Sequence, residues 1–460
     1  MVGVDSKGVE RMEIKSACRI GELPSFWERR VVFVANLLSL FFGNEDETEE
    51  LRRKVGTLET YGGRLLPILN LLFREQPNIL ILDRAPDPDM VTLFRDRLNL
   101  SLPEVATLDH EAYCTFATET PSPVAMALAE TLARHEAEWV DGFVTDEPLT
   151  GLAELCGKAT ICSAEASWRG NNKVLLHRYL VERGLHTFDS VLLDHAEGLD
   201  RGLATLRGMG YRHAVVKSQI GASGIGLLKL DLASPRPVPE HMFFEGPCLL
   251  QGWLDDRVQG VERVASPSVQ LFLDDEGLVL YDLTDQILGE QSVHEGNIAP
   301  PPFMVGETTL QSELLSQADV VGRWLHDQGY RGTASVDFLV IRRNRVFEAM
   351  VCEINARVTG ATYPALLARH LVPGCTWLMR NLRFSKPLGG RALLDALDEG
   401  RLLLSAGDSE GVCPINLNLN DEGHVVKGQF LCVADSVEKT GELLDAIRSR
   451  APVKADYDRD

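Results

Sequence analysis

What this 460-residue sequence lacks narrows it before any motif is read. It has no apolar run long enough to cross a bilayer: the longest, 31–42, is broken by Asn36 and Ser39 and falls well short of the roughly 20 residues a spanning helix needs. It is also short of positive charge. Lys and Arg number 46 against 67 Asp and Glu, and the formal net charge of −21 excludes the basic footprint that nucleic acid or an anionic membrane demands. Lysine is scarce beside arginine, so a lysine at a motif position carries information. The nine cysteines, Cys18, Cys114, Cys156, Cys162, Cys248, Cys352, Cys375, Cys413 and Cys432, form no C-x-x-C pair, which leaves them as small buried hydrophobes of a reducing compartment. The opening MVGVDSKGVERMEIK lacks the apolar heart of a signal peptide, so the expected location is the cytoplasm.

What is present is ordinary globular composition, 45% hydrophobic and 25% charged, on a length that predicts two to four domains. Residues 1–25 show no periodicity and are expected to be a loosely held lead-in. Strand patterns at 31–35, 78–82 and 142–145 then alternate with helical ones at 49–55, 88–99, 124–139 and 149–156. Such alternation predicts a parallel sheet with helical crossovers. No G-x-G-x-x-G fingerprint occurs there, so this region offers no dinucleotide site.

The most informative stretch is 331–364, RGTASVDFLVIRRNRVFEAMVCEINARVTGATYP. Two apolar runs, 334–341 and 346–354, flank the basic residues 342–345 and read as a β-hairpin. Asp337 interrupts the first strand, while Glu353 and Asn355 sit two apart on the second, where alternation turns both to one face. Two carboxylates and an amide oxygen make an all-oxygen set that suits Mg²⁺ or Mn²⁺ and leaves room for phosphate oxygens. Arg357 follows two residues on, a fork for a phosphoryl group or a carboxylate. The bland alternative is a solvated Asp and Glu on an antiparallel pair.

Other motifs surround it. Asn171, Asn172 and Lys173 open a helix over 174–182 that stops at Gly184, which places Lys173 at an N-terminus where anions are favoured. Residues 213–230, HAVVKSQIGASGIGLLKL, form a strand ending at Lys217, a loop with Gly221, Ser223, Gly224 and Gly226, and a second strand. Glycines let the backbone approach phosphate oxygens and Ser223 adds a hydroxyl, although this is no Walker loop, because neither a helix nor GK[ST] follows. CLLQGWL at 248–254 reads as a strand-to-loop edge that can present backbone groups to a purine, and 269–273 with 278–283 as a hairpin. In the polar segment 291–302, His294 is expected to be a surface-loop residue, with substrate contact or proton carriage as the alternative. Helices are expected over 310–328 and 364–370, and from 387 the order reads helix, strand, strand, helix.

Taken in order, Lys173, Lys217 before its Gly/Ser hairpin, the strand near 249–254, Asp337, and the run Glu353, Asn355, Arg357, Gly360 resemble the ATP-grasp family over roughly residues 165–385. The resemblance implies an α/β and α+β multidomain chain. Its parts would be an N-terminal parallel-sheet domain over 1–165, ATP-grasp subdomains over 166–246 and 247–386, the latter with the metal site, and a small α+β cap over 387–460. It implies that Lys173 and Lys217 contact the α and β phosphates of ATP beneath the Ser223 and Gly224 loop. Gln251, Trp253 and Leu254 would hold adenine between Val215 and Cys352. Asp337, Glu353 and Asn355 would hold two Mg²⁺ or Mn²⁺ ions, with Glu353 bridging, and Arg357, Lys217 and Glu353 would be the catalytic residues. One departure from the family pattern is Gln251 with Gly252 where many members have glutamate, which leaves Asp256 or Glu262 for the ribose.

Within the family the chain looks most similar to peptide ligases of antibiotic biosynthesis, of the pheganomycin type. That implies a cytoplasmic enzyme joining a small-molecule carboxylate to the amine of a peptide through an acylphosphate, with neither nucleic acid nor membrane as partner and a homodimer left open. A phosphotransferase and a non-catalytic MgATP-binding module are the rival readings.

Overall fold

The computed structural model describes residues 14–55, 61–254, 258, 260–289 and 294–454. Its chain passes through three sheets. Strand β1 (Lys15–Cys18) is followed by β2 (Val31–Val34), β3 (Ile79–Leu82), β4 (Glu104–Thr107), β5 (Trp139–Gly142) and β6 (Ala159–Thr160). The last five form a parallel sheet in the order β4-β3-β2-β5-β6. Strands β2 and β3, VVFV and ILIL, are buried along their whole length, the continuous apolar pattern of a parallel sheet covered on both faces.

Four local expectations are corrected here. The helix expected to run to Trp139 is Pro123–Arg134, and the strand expected at 142–145 lies at Trp139–Gly142, where Val140 pairs with Val32 of β2. Parallel pairing of these residues to β2 decides the strand. The helix expected over 88–99 is capped by Asp87 and gives way at Leu93 to a wider π-turn through Arg97. The lead-in is not loose over its described part, because β1 pairs in parallel with Gly277–Leu280 of a distant strand.

Strands β7 (Ser190–Leu193), β8 (His213–Lys217), β9 (Leu227–Asp231) and β10 (Cys248–Gly252) make a small antiparallel sheet in the order β7-β10-β8-β9. Its outer face buries Leu193, Val216 and Leu250 against Leu203 and Leu206 of the helix Leu199–Gly208.

The third sheet is the largest. It contains β11 (Val261–Ala265), β12 (Pro267–Leu273), β13 (Gly277–Leu288), β14 (His294–Ala299), β15 (Gly332–Arg343), β16 (Val346–Asn355), β17 (Thr376–Gly389), β18 (Gly411–Leu419) and β19 (His424–Ala434). The path is β11-β15-β12-β13-β14-β17-β19-β18, with β16 on β15 and β1 on β13. Leu314, Ala318, Val321 and Leu325 of the helix Thr308–Asp327 pack against Leu271, Leu278, Val336 and Val351, which closes one face. The segment expected to be a polar loop contains β14, held between β13 and β17. Its His294, Glu295 and Asn297 hid the strand by breaking any apolar alternation, and residues 290–293 lie outside the described set. The helix, strand, strand, helix order expected after 387 appears as Gly390–Glu399, β18, β19 and Val437–Arg450, and β19 pairs with β17, so these strands extend the large sheet. No helix among the described residues is long and apolar enough to cross a membrane.

Candidate active site

The site begins on the β15–β16 hairpin, where Asp337 lies directly across from Glu353 and Ser335 across from Asn355. Asp337 is crowded by donors. Ser268 Oγ on β12 donates to its Oδ1 at 2.6 Å, and Asn355 Nδ2 donates to its Oδ2 at 2.9 Å. Burial and the facing Glu353 push Asp337 up to about 6. Burial also pushes Glu353 upward, but Lys173, Lys217 and Arg357 outweigh it and hold that carboxylate below its usual range.

Lys173 reaches the hairpin from elsewhere in the chain. The side chain of Asn172 caps the helix Lys173–Glu182 by accepting from Leu175 N at 2.9 Å, which puts Lys173 at the first position. Its Nζ lies 3.4 Å from Glu353 Oε2 and donates to the Gly221 carbonyl at 3.1 Å. Burial pushes this ammonium down, and Glu353 opposes that shift. Arg357 Nη1 donates to Asn171 Oδ1 at 2.7 Å, so two neighbours on one turn serve two cationic groups of the site. Lys217 ends β8 with its Nζ 5.6 Å from the centre of the Phe188 ring.

Ser223, Gly224, Asp337, Glu353, Asn355 and Arg357 line one cleft of about 180 Å³. Ser223 has φ +54° and Gly224 +76°, the left-handed turn that tips this loop over the hairpin. The other expected residues lie between the small sheet and β16. Val215 and Gln251 are cross-strand partners, both buried. Leu254 and Cys352 share an apolar cluster with Phe188 and Met350, and burial pushes the Cys352 thiol up to about 12. The Trp253 indole lies under Lys229, whose Nζ is 4.1 Å from the ring centre. Asp256 lies outside the described residues, and Glu262 is an exposed residue of β11 paired with Arg342 at 3.1 Å.

The sequence reading missed one side of this cleft. His294 is no surface-loop residue: it sits on β14 and lines the cleft with Asn297 and Gly360. A register shift opposite Leu288 breaks the two-residue alternation and brings residues three apart to the same place. Asn297 Nδ2 donates to the Gly360 carbonyl at 3.2 Å, which identifies that atom as the amide nitrogen, and it lies 2.8 Å from His294 Nε2. Nε2 therefore accepts, and the ring proton sits on Nδ1. Burial, with Arg64 and Arg380 nearby, pushes this imidazole down to about 4, so the ring is neutral. A Cβ on Gly360 would stand 3.0 Å from the ring, close enough that the imidazole would have to give way.

No family model matches the chain. A butirosin acyl-carrier protein–L-glutamate ligase from Niallia circulans is 25% identical over 197 residues, which are 42% of this chain and 44% of that protein, so the match spans less than half of the relative. Biotin carboxylase from Campylobacter jejuni, solved as a β,γ-ATP complex, superposes with a TM-score of 0.55 at 12% identity over 93% of this chain and 92% of its own. N5-carboxyaminoimidazole ribonucleotide synthetase from Thermus thermophilus does so with a TM-score of 0.53 at 14% identity over 92% and 98%. The fold is ATP-grasp. The loop between β8 and β9 and the large sheet bound the cleft, and the hairpin β15–β16 supplies the acidic floor.

An ATP-grasp fold implies a divalent cation, and the donor set here can be tested for it. Among the described residues no three His, Cys, Asp or Glu side chains gather around one point. The set is instead two facing carboxylates and an amide. Asp337 is pushed up to about 6, first by burial and then by the facing Glu353 carboxylate. Asn355 spends its nitrogen on Asp337 and keeps its oxygen. These residues fit a hard, oxygen-seeking ion such as Mg²⁺ or Mn²⁺.

Proposed function

We propose that this chain is an ATP-dependent ligase that joins an amino-acid-like carboxylate to the amine of a peptide, in the cytoplasm and in peptide-antibiotic biosynthesis. The observation that carries the reading is the single cleft in which the Ser223–Gly224 loop, the Asp337, Glu353 and Asn355 set, Arg357 and His294 meet. The domain division at 165/166, 246/247 and 386/387 belongs to the same proposal. So do the adenine contacts of Gln251, Trp253 and Leu254 between Val215 and Cys352.

In this reading Lys173 and Lys217 neutralise the α and β phosphates while the loop carrying Ser223 and Gly224 excludes water. Asp337, Glu353 and Asn355 would hold Mg²⁺, which supplies charge neutralisation at the phosphates when bound. The substrate carboxylate attacks the γ-phosphorus and ADP leaves. The amine then adds to the resulting acylphosphate, loses a proton and displaces phosphate, giving an amide. Arg357 steadies the phosphoryl oxygens in the first step. His294, neutral and with its proton on Nδ1, donates a hydrogen bond to an oxygen of the carboxylate and so orients it. Leu37, Leu40 and Phe143 form an apolar wall of the same cleft for the rest of that substrate.

Two relatives favour the class: one is named for ligating L-glutamate to a carrier protein, the other was solved as a β,γ-ATP complex. A phosphotransferase would stop at a phosphorylated product, and the dependence of ADP release on an amine separates it from the ligase. The deciding experiment measures ADP and phosphate release from MgATP against amino acids and short peptides, singly and in pairs, with product masses. Release that needs both partners, with a product lighter than their sum by one water, is the expected result. A phosphorylated product, or tight MgATP binding with no release for any pair, would replace the proposal with one of its rivals.

A further inference from the structure

Beneath the loop that carries Ser223 and Gly224 lies an acid for which the proposed chemistry has no use. Glu47 stands in the first turn of the helix Glu45–Val55, within the N-terminal region, and is wholly buried. Its Oε1 accepts a 2.8 Å hydrogen bond from the Ser218 hydroxyl, across 171 residues of chain. Ser218 directly follows Lys217 and is also fully buried. The Ser218 N–H donates to the Gly226 carbonyl at 2.9 Å, so these two residues close the neck of the loop. Gly226 has φ +72°, and a Cβ there would meet Glu47 Oε1 at 3.1 Å and Ser218 Oγ at 3.2 Å. Just before the helix, Asn44 Nδ2 donates to the His241 carbonyl at 3.1 Å, a second grip on the same lobe.

A buried carboxylate is a costly choice for filling space. Burial pushes Glu47 up to about 7 against the pull of Ser218 and Lys173, and its Oε2 has no hydrogen-bond partner among the described residues. An apolar side chain of that volume would fill the pocket equally well. It would not hold the Ser218 hydroxyl.

We propose that Glu47 is a positioning residue: by binding Ser218 at the neck of the 218–226 hairpin, the N-terminal region sets the phosphate-covering loop before nucleotide arrives. The effect on turnover rests on the nucleotide reading of the cleft; the effect on the loop does not. The test uses the full chain as wild type, Glu47→Ala, Glu47→Gln and Ser218→Ala. It reads hydrogen exchange of 218–226 without nucleotide, and KM for MgATP against kcat. Glu47→Ala and Ser218→Ala should speed exchange there by about tenfold or more and raise KM for MgATP by a similar factor, as expected for one lost buried hydrogen bond, with kcat changed less. Glu47→Gln, which keeps an oxygen for Ser218, should restore both. Should Glu47→Ala fail to fold, Ser218→Ala reads the same bond from its other end. Unchanged exchange in the folded variants, or equal effects of Gln and Ala at position 47, would overturn the proposal. Faster exchange in a family of proteins none of which binds MgATP, wild type included, would uphold the loop assignment and remove the nucleotide reading instead.

Discussion

Lys173 Nζ stands 3.4 Å from Glu353 Oε2 and donates to the Gly221 carbonyl, so one buried ammonium ties the glycine loop to the acidic hairpin. The pair joins residues 180 positions apart, and it sets the charge state of the cleft. Glu353 stays ionised because Lys173, Lys217 and Arg357 surround it, while its neighbour Asp337 is pushed toward the neutral form.

Glu353→Gln keeps the shape of this side chain and removes its charge. Turnover of the proposed ligase reaction should fall by roughly a hundredfold to a thousandfold, the range seen when one preorganised charge-stabilising group is lost. A melting temperature within a few degrees of wild type would show that the loss is chemical. Near-normal turnover in a folded Glu353→Gln protein would take the site away from this hairpin.

Gly360→Ala tests the space left for His294. A Cβ at 3.0 Å from the imidazole must turn the ring or shift β14. KM for the acid substrate should rise about tenfold or more, as for one displaced hydrogen-bond donor, with KM for MgATP little changed. His294→Phe should produce the same split. Equal increases for both substrates would mean that His294 does not face the acid.

His294 also predicts a pH dependence of stability. Its folded value is about 4, below the roughly 6.5 of an unfolded histidine, so between these values the unfolded chain takes up a proton that the native one refuses. Its contribution to stability is therefore lost as pH falls from about 6.5 toward 4, by up to about 3 kcal/mol. Chemical denaturation at pH 5 and pH 7.5 should show a smaller difference for His294→Gln than for wild type.

Asp141 predicts the opposite sign. Burial on β5 pushes its carboxyl up to about 7, so the native chain keeps a proton that the unfolded chain loses above about pH 4. Stability from this group is full at low pH and declines as pH rises toward 7. Asp141→Asn should be more stable than wild type at pH 8 by up to a few kcal/mol and close to it at pH 4. Identical pH profiles would show that Asp141 finds solvent.

Arg369 of the helix Thr362–Leu371 and Asp282 of β13 form a buried pair that does not line the cleft. Two guanidinium nitrogens donate to the carboxylate at 3.2 and 3.0 Å, and Trp377 Nε1 donates at 3.2 Å. Arg369→Met strands Asp282 at 1% exposure and should cost about 3–5 kcal/mol of stability. Denaturant midpoints give this directly. The double replacement Arg369→Met with Asp282→Leu should recover much of the loss.

Short stretches of the chain carry the local part of this site. The β15–β16 hairpin follows from two apolar runs around a turn, and the two-residue alternation of strands puts Glu353 and Asn355 on one face whatever the rest of the chain does. The glycine loop after Lys217 follows from residues that tolerate left-handed backbone. The tertiary structure alone decided the rest. The partner strand for Trp139–Gly142, the seat of β1 on β13, the holding of His294 and Asn297 by Asn381 and Gly360 and the reach of Glu47 to Ser218 each depend on backbone or side-chain bonds between segments far apart in sequence. No local periodicity records such bonds. They form where packing excludes water and a polar group must find its partner across the fold.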